Sequence, residues 1–127
     1  MTKDKQSLKA SIEKHLEEET QNLERGAPER VQWLVRQISE YIDRWLGFCL
    51  IPEISMAAVL KGDLFNTIQA GSELLESELG EAAGTRAKIS PAWDAFITQL
   101  RTIRTSTNKE DARRLSEAFG LVRTNME

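Results

Sequence analysis

The sequence predicts an all-α protein, a compact bundle of about six helices that starts with an antiparallel helical hairpin. Apolar residues recur at intervals of three and four, which is the period of an amphipathic helix. No stretch alternates apolar and polar residues over six positions, and no Asn-Gly or Asp-Gly dipeptide separates two strand-like runs. A chain of 127 residues fits one domain, so we expect residues 1–127 to fold as a unit.

The first predicted helix spans residues 4–25 and has a narrow apolar stripe. The stripe consists of Leu8, Ile12, Leu16 and Leu23. Gly26 follows directly and is expected in the left-handed conformation that often ends a helix. Pro28 then suits the first turn of a second helix. Because the connection is short, we expect these two helices to pack as an antiparallel hairpin.

The second predicted helix, residues 28–47, has the clearest amphipathic pattern in the chain. Its apolar face contains Val31, Leu34, Val35, Ile38, Tyr41, Ile42, Trp45 and Leu46. Trp33 falls on the opposite face, with Arg30 and Arg44 nearby in the helical projection. Tryptophan and arginine dominate the energetics of protein interfaces, so these three residues form a candidate partner interface. The alternative is that Trp33 packs beneath another helix.

An apolar run from Trp45 to Leu60 predicts a bend followed by a short buried helix. Pro52 disfavours helical geometry at the preceding residue, so the short helix is placed at 52–61, with Gly62 at its end. Asp63 is expected to cap a fourth helix, 63–79, in which Gly71 allows a close crossing. If part of the apolar run is exposed, it forms a patch suited to self-association.

The last third of the chain predicts a linker and two more helices. Residues 81–89 are expected to be irregular. Ser90 and Pro91 have the residue types of a helix start, so a fifth helix is placed at 91–105. Thr107 and Glu110 fit a capping box at the start of a sixth helix, 108–124.

Charge is divided unevenly along the chain. Residues 1–85 hold nine basic and fifteen acidic residues, whereas residues 86–127 hold eight basic and five acidic residues. The basic part predicts a surface for phosphate or for an acidic partner, formed by Arg101, Arg104, Lys109, Arg113 and Arg114. Residues 17–19 of a second copy, all glutamate, are one such partner. The alternative is a set of solvated helix faces.

The residue inventory argues against most catalytic and metal chemistry. Cys49 is the single cysteine and His15 the single histidine, so neither a zinc cage nor a cysteine–histidine arrangement is predicted. No phosphate-binding glycine motif occurs. We therefore predict no catalytic residue, no cofactor, no metal and no small-molecule substrate. With no membrane span and no signal peptide in the pattern, we expect a cytoplasmic protein.

These observations predict a non-enzymatic helical interaction protein: an adaptor, a chaperone-like protein or an inhibitory subunit of a larger assembly. Its partner is expected to be another protein or a second copy of the chain. The alternative is a small helical subunit of a nucleoprotein complex, for example an RNA-guided effector complex, that contacts nucleic-acid phosphates through the basic C-terminal half. No membrane contact is predicted.

Overall fold

The protein is all-α, as the sequence predicts. The structure is a computed structural model that describes residues 4–50, 55–103 and 109–126, with side chains of the second range described from Leu60 onward. These residues form five helices: α1 (Lys5–Glu19), α2 (Pro28–Cys49), α3 (Ser55–Gly80), α4 (Ala83–Thr102) and α5 (Lys109–Met126). The described part contains no strand and no helix long and apolar enough to cross a membrane.

Helix α2 lies at the centre of the bundle. It packs most extensively on α3 and also packs on α5, while α4 and α5 form the second large helix pair. The first two helices do not pack as the predicted hairpin. Helix α1 packs mainly on α3 and has only a small contact with α2. Consecutive helices α3 and α4 also share only a small contact.

The apolar stripes of the first two predicted helices are buried in part: Leu23 is exposed, and Leu8, Tyr41 and Leu46 are half-buried. The periodicity of the whole chain predicts a core of thirteen side chains, of which twelve are buried: Val31, Leu34, Ile38, Ile42, Trp45, Ile68, Leu75, Trp93, Phe96, Leu100, Leu115 and Phe119. The exception is Phe65, which is half-buried and packs its ring 5.6 Å from that of Trp45, measured between centroids. Phe96 joins α4 to α5 through a ring contact of 4.9 Å with Phe119.

The first helix is shorter than predicted. It starts after Asp4, whose carboxylate accepts a hydrogen bond from the Gln6 N–H, and it ends at Glu19 rather than at residue 25. The Thr20 hydroxyl donates to the carbonyl of Leu16 at 2.6 Å, and Gln21 and Asn22 then adopt left-handed backbone geometry. Because no glycine or proline stands at this point, composition does not show where the helix ends.

The short helix 52–61 and the helix 63–79 are one helix in the structure, α3, so the predicted break at Gly62 is wrong. Residues 51–54, which include the predicted bend, lie outside the described residues. A glycine inside a helix costs only about 1 kcal/mol. Packing of α3 along α2 outweighs that cost, and the Thr67 hydroxyl donates to the Asp63 carbonyl within the continuous helix.

The predicted linker 81–89 is also wrong, because α4 begins at Ala83 and contains Pro91. Ile89 is fully buried and anchors this first part of the helix in the core. Arg86 donates to the Ser90 hydroxyl at 2.8 Å and to Asp94 at 3.0 Å, which holds the helix together on both sides of the proline. Ser90 therefore binds Arg86 in mid-helix rather than capping an N-terminus.

The last helix follows the prediction closely. It spans Lys109–Met126 and has Glu110 and Asp111 in its first turn. Carboxylates at this end of a helix interact favourably with the helix dipole. The predicted capping residue Thr107 lies outside the described residues.

Candidate functional site: the outer face of α2

The outer face of α2 forms one wall of an open groove whose other wall is α1. Trp33 and Tyr41 line it from α2, and Leu8 and Ile12 line it from α1. The groove has a volume of about 650 Å³ and is open to solvent. Both aromatic side chains are half-buried and pack against the hydrophobic core. Trp33 therefore packs partly against the core and still reaches the surface.

Charged side chains border this groove. Arg36, Glu40 and Arg44 are all exposed and lie on the α2 side. None of the three takes part in a salt bridge within the described residues. Burial raises the pKa of the Tyr41 hydroxyl above the ordinary value; the charge of Arg44 acts to lower this pKa and the charge of Glu40 acts to raise it.

A second groove runs along the other side of the same face, between α2 and α5. Its volume is about 530 Å³, and Arg36 and Glu40 line it as well as the first groove. Arg123 of α5 reaches across it and donates to the Ser39 hydroxyl at 3.0 Å. The exposed face of α2 is therefore a ridge between two grooves.

Arg30 does not belong to this surface, contrary to its predicted place in the partner interface. Only 3% of the residue is exposed, and its guanidinium binds Glu78 of α3 through two nitrogens, at 2.5 and 3.2 Å. It also lies 2.9 Å from a carboxylate oxygen of Glu17 and donates to the carbonyl of Leu23 at 3.1 Å. These partners draw Arg30 inward, because a buried guanidinium requires compensating charge and acceptors.

Glu78 is the centre of this buried network. Besides Arg30, it accepts a hydrogen bond from the Gly26 N–H at 3.0 Å and lies 3.5 Å from Arg25. Burial acts to raise the pKa of Glu78, but the hydrogen bonds from Arg30 and Gly26 outweigh it, and the pKa lies below the ordinary value. The hydrogen bond with Glu78 raises the pKa of Arg30. The network fastens the α1–α2 connection to the end of α3.

Glycine at position 26 is required by this arrangement. Its φ of +85° lies in the left-handed region as predicted, but Gly26 lies in the connection rather than at a helix end, because α1 ends at Glu19. A Cβ atom built there would lie 2.4 Å from the carbonyl oxygen of Glu81. The glycine therefore serves a close approach between the connection and the end of α3, which sequence alone does not indicate.

The basic residues of the C-terminal half occupy separate surroundings. Arg101 is exposed in a cleft that Glu73 and Glu76 of α3 also line. Lys109, Arg113 and Arg114 are exposed on α5, with Arg114 3.9 Å from Asp111. Arg104, the remaining member of the predicted phosphate surface, lies outside the described residues. Carboxylates thus lie near two of these cations, Arg101 and Arg114.

The proposed acidic counterpart for that surface is also partly occupied. Glu17 is engaged with Arg30 within the same chain, while Glu18 and Glu19 are exposed. The apolar run considered for self-association has Phe48 half-buried and Leu50 and Leu60 exposed, whereas Ile51 lies outside the described residues and the side chain of Met56 outside the described side chains.

Groups with chemical reactivity are few in the described part of the chain. Cys49 is half-buried, and burial raises the pKa of its thiol above the ordinary value. The positive charge of Lys61 acts to lower this pKa. His15 is exposed on α1 and its Nδ1 lies 2.8 Å from the Ser11 carbonyl. The described residues contain no group of three or more histidine, cysteine or acidic side chains placed to hold a metal ion.

Comparisons with protein-family models, with curated proteins and with solved structures found no match to this chain. The assignment of a function therefore depends on the geometry of the α2 face.

Proposed function

We propose that the protein is a non-enzymatic interaction protein that binds another polypeptide over the outer face of α2. The observation that carries the proposal is the position of Trp33. It lines an open groove together with Leu8, Ile12 and Tyr41, and exposed Arg36 and Arg44 line the same groove without salt-bridge partners in the described structure. A half-buried tryptophan beside exposed arginines has the composition of an interface hot spot.

The shape and charge of the groove favour a helix as the bound element. An amphipathic helix inserts an apolar stripe into a groove between two helices, and here Leu8, Ile12, Trp33 and Tyr41 would receive it. Carboxylates beside that stripe would meet Arg36 and Arg44. An adaptor or an inhibitory subunit of a larger assembly works through contacts of this kind.

Binding of nucleic acid through the basic C-terminal half is the alternative. Lys109, Arg113 and Arg114 are exposed and give it some support. Phosphate binding requires cations that act together. Glu76 in the cleft of Arg101, and Asp111 near Arg114, reduce the positive potential in which a phosphate would bind, whereas Glu73 is paired with Lys5 and Lys9.

Site-specific crosslinking tests the proposal, because it requires no candidate partner at the outset. A photoreactive amino acid replaces Gln37, which lines the groove, and in a matched control it replaces Arg113 on α5. The protein crosslinked only from position 37 is then purified and titrated by calorimetry against wild type and against Trp33→Ala, Arg44→Glu and Arg113→Glu. We expect the first two variants to bind at least about tenfold more weakly and the third to bind as wild type.

Two results would overturn the proposal. One is a partner whose affinity is unchanged by both Trp33→Ala and Arg44→Glu. The other is selective binding of nucleic acid that Arg113→Glu abolishes and that weakens steeply with salt, because such a salt dependence marks phosphate contacts. Circular dichroism of each variant confirms that the helices are retained, so that loss of binding reports on the surface.

A further inference from the structure

Four residues of the outer face of α2 follow one another around the helix within an arc of about 80°. With about 100° of rotation per residue, Arg36 comes first on the side toward α5, Glu40 lies about 40° further round, Trp33 about 60° and Arg44 about 80°, on the side toward α1. The grooves agree with this order, since Arg36 and Glu40 line both grooves, whereas Trp33 and Arg44 line only the α1 groove.

The sequence of this ridge is complementary to itself when it is read in the opposite direction. Consider a two-fold axis that crosses the outer face of α2 at the level of position 38. It places each residue opposite the residue of the second copy that is equally far on the other side of position 38. Arg36 then faces Glu40 of a second copy, and Glu40 faces the second Arg36. Each of these residues lies about 3 Å from the axis along the helix, at a rise of about 1.5 Å per residue.

The same axis brings together Trp33 of one copy and Arg44 of the other, on the side of α2 toward α1. Trp33 lies about 7.5 Å from the axis along the helix, and Arg44 of the second copy lies about 9 Å away in the same direction. A guanidinium over an indole ring is a favourable cation–π arrangement. Gly47 falls opposite Glu29, and among the described residues no neighbouring heavy atom lies within 4 Å of a Cβ built on Gly47.

We propose that α2 forms a symmetric homodimer interface, in which the ridges of two copies pair antiparallel around a two-fold axis at the level of position 38. Arg36 and Glu40 form two equivalent ion pairs across the axis, and Trp33 packs against Arg44 of the other copy at both ends. This inference rests on the proposed function, since it names a second copy of the chain as a partner of the same face. Two-fold dimers use one patch twice and therefore require this kind of self-complementarity.

Charge reversal in the full chain tests the register of the pairing. Analytical ultracentrifugation over a wide concentration range gives the dimer dissociation constant of wild type, Arg36→Glu, Glu40→Arg and the double variant Arg36→Glu/Glu40→Arg. Each single variant places like charges opposite each other twice, so we expect dimerisation at least about tenfold weaker. The double variant restores opposite charges at both positions and should return the dissociation constant to near the wild-type value.

Arg113 and Glu117 on α5 supply a matched control, because both are exposed and have the same spacing. Arg113→Glu should leave the dimer unchanged. The inference is overturned if wild type is monomeric at all concentrations, if the single variants dimerise as wild type, or if the double variant is no tighter than the singles. A monomer that still binds a separate protein in a Trp33-dependent way overturns the dimer alone. A monomer with no such partner overturns the proposed function as well.

Discussion

Arg30 of α2 and Glu78 of α3 form a buried ion pair through two hydrogen bonds, at 2.5 and 3.2 Å, although 48 positions separate them in the sequence. Both residues are 3% exposed. The pair lies where the α1–α2 connection meets the end of α3, and it draws in the Gly26 N–H and the carbonyl of Leu23. The ion pair and its hydrogen bonds therefore join α2, the end of α3 and the α1–α2 connection.

Removal of one partner from this pair should destabilise the protein strongly. Arg30→Ala leaves the buried Glu78 carboxylate with only the Gly26 N–H and the exposed Arg25 as partners, and we expect a loss of about 3–5 kcal/mol in the free energy of unfolding, measured by urea titration. The double variant Arg30→Met/Glu78→Leu replaces both charges by apolar groups of similar size and should recover more than half of that loss. A double variant no more stable than Arg30→Ala would show that the charges themselves are required.

The lowered pKa of Glu78 predicts a contribution to stability that depends on pH. A carboxyl whose pKa is lower in the folded than in the unfolded state stabilises the protein fully above the unfolded value, which is about 4.3 for glutamate. The contribution is lost as the pH falls through the lower folded value. Urea titrations from pH 7 to pH 2 should show wild type losing stability relative to Arg30→Met/Glu78→Leu only at the acidic end. A difference that does not vary with pH would contradict the role of Glu78.

Gly26→Ala should destabilise the protein for two reasons that act together. A left-handed conformation costs an alanine roughly 1–2 kcal/mol. The new Cβ would also lie 2.4 Å from the Glu81 carbonyl oxygen, so the connection must move away from the end of α3. We expect a loss of at least about 2 kcal/mol by urea titration.

The control for this glycine is Gly120→Ala in α5. Among the described residues, no heavy atom beyond its own helix backbone and its two chain neighbours lies within 4 Å of a Cβ built there. Alanine should therefore stabilise the helix by up to about 1 kcal/mol. If both substitutions changed stability in the same direction, the geometry assigned to Gly26 would be wrong.

The sequence predicts the central helix well and the helix ends poorly, for a physical reason. The apolar periodicity of α2 reflects burial along its whole length, and Leu34, Ile38 and Ile42 are buried as predicted. The extents of α1, α3 and α4 are not visible in that pattern. α1 ends at Glu19 without a glycine or proline, and α3 continues through Gly62 where it packs on α2. Arg86 binds Ser90 and Asp94 within α4, on both sides of Pro91.

The candidate site shows the same division. Trp33 and Arg44 are placed on the outer face by helical periodicity alone, and the structure finds them there beside Arg36. Arg30 is misplaced because its partner Glu78 is distant in sequence, and no local pattern indicates that two charges will be buried together. The acidic residues on α3 that surround Arg101 are likewise brought there only by the fold.

Contact between Ile38 and Gly71 predicts a strong coupling between two substitutions. Ile38 is fully buried, and a Cβ built on Gly71 would lie 3.1 Å from its Cγ1 atom. Ile38→Ala should cost about 2–5 kcal/mol through lost burial and a cavity. Gly71→Ala in wild type crowds Ile38, so the gain of about 1 kcal/mol in helix propensity should be cancelled or exceeded by strain.

In the Ile38→Ala background the crowding is gone, and the new methyl group fills part of the cavity. Gly71→Ala should then stabilise the protein by roughly 1 kcal/mol, so the same substitution changes sign with its neighbour. The four free energies of unfolding, from urea titrations of wild type, both single variants and the double variant, give a coupling that we expect to exceed about 1 kcal/mol. Effects that add within about 0.5 kcal/mol would mean that α2 and α3 do not cross closely at these two residues.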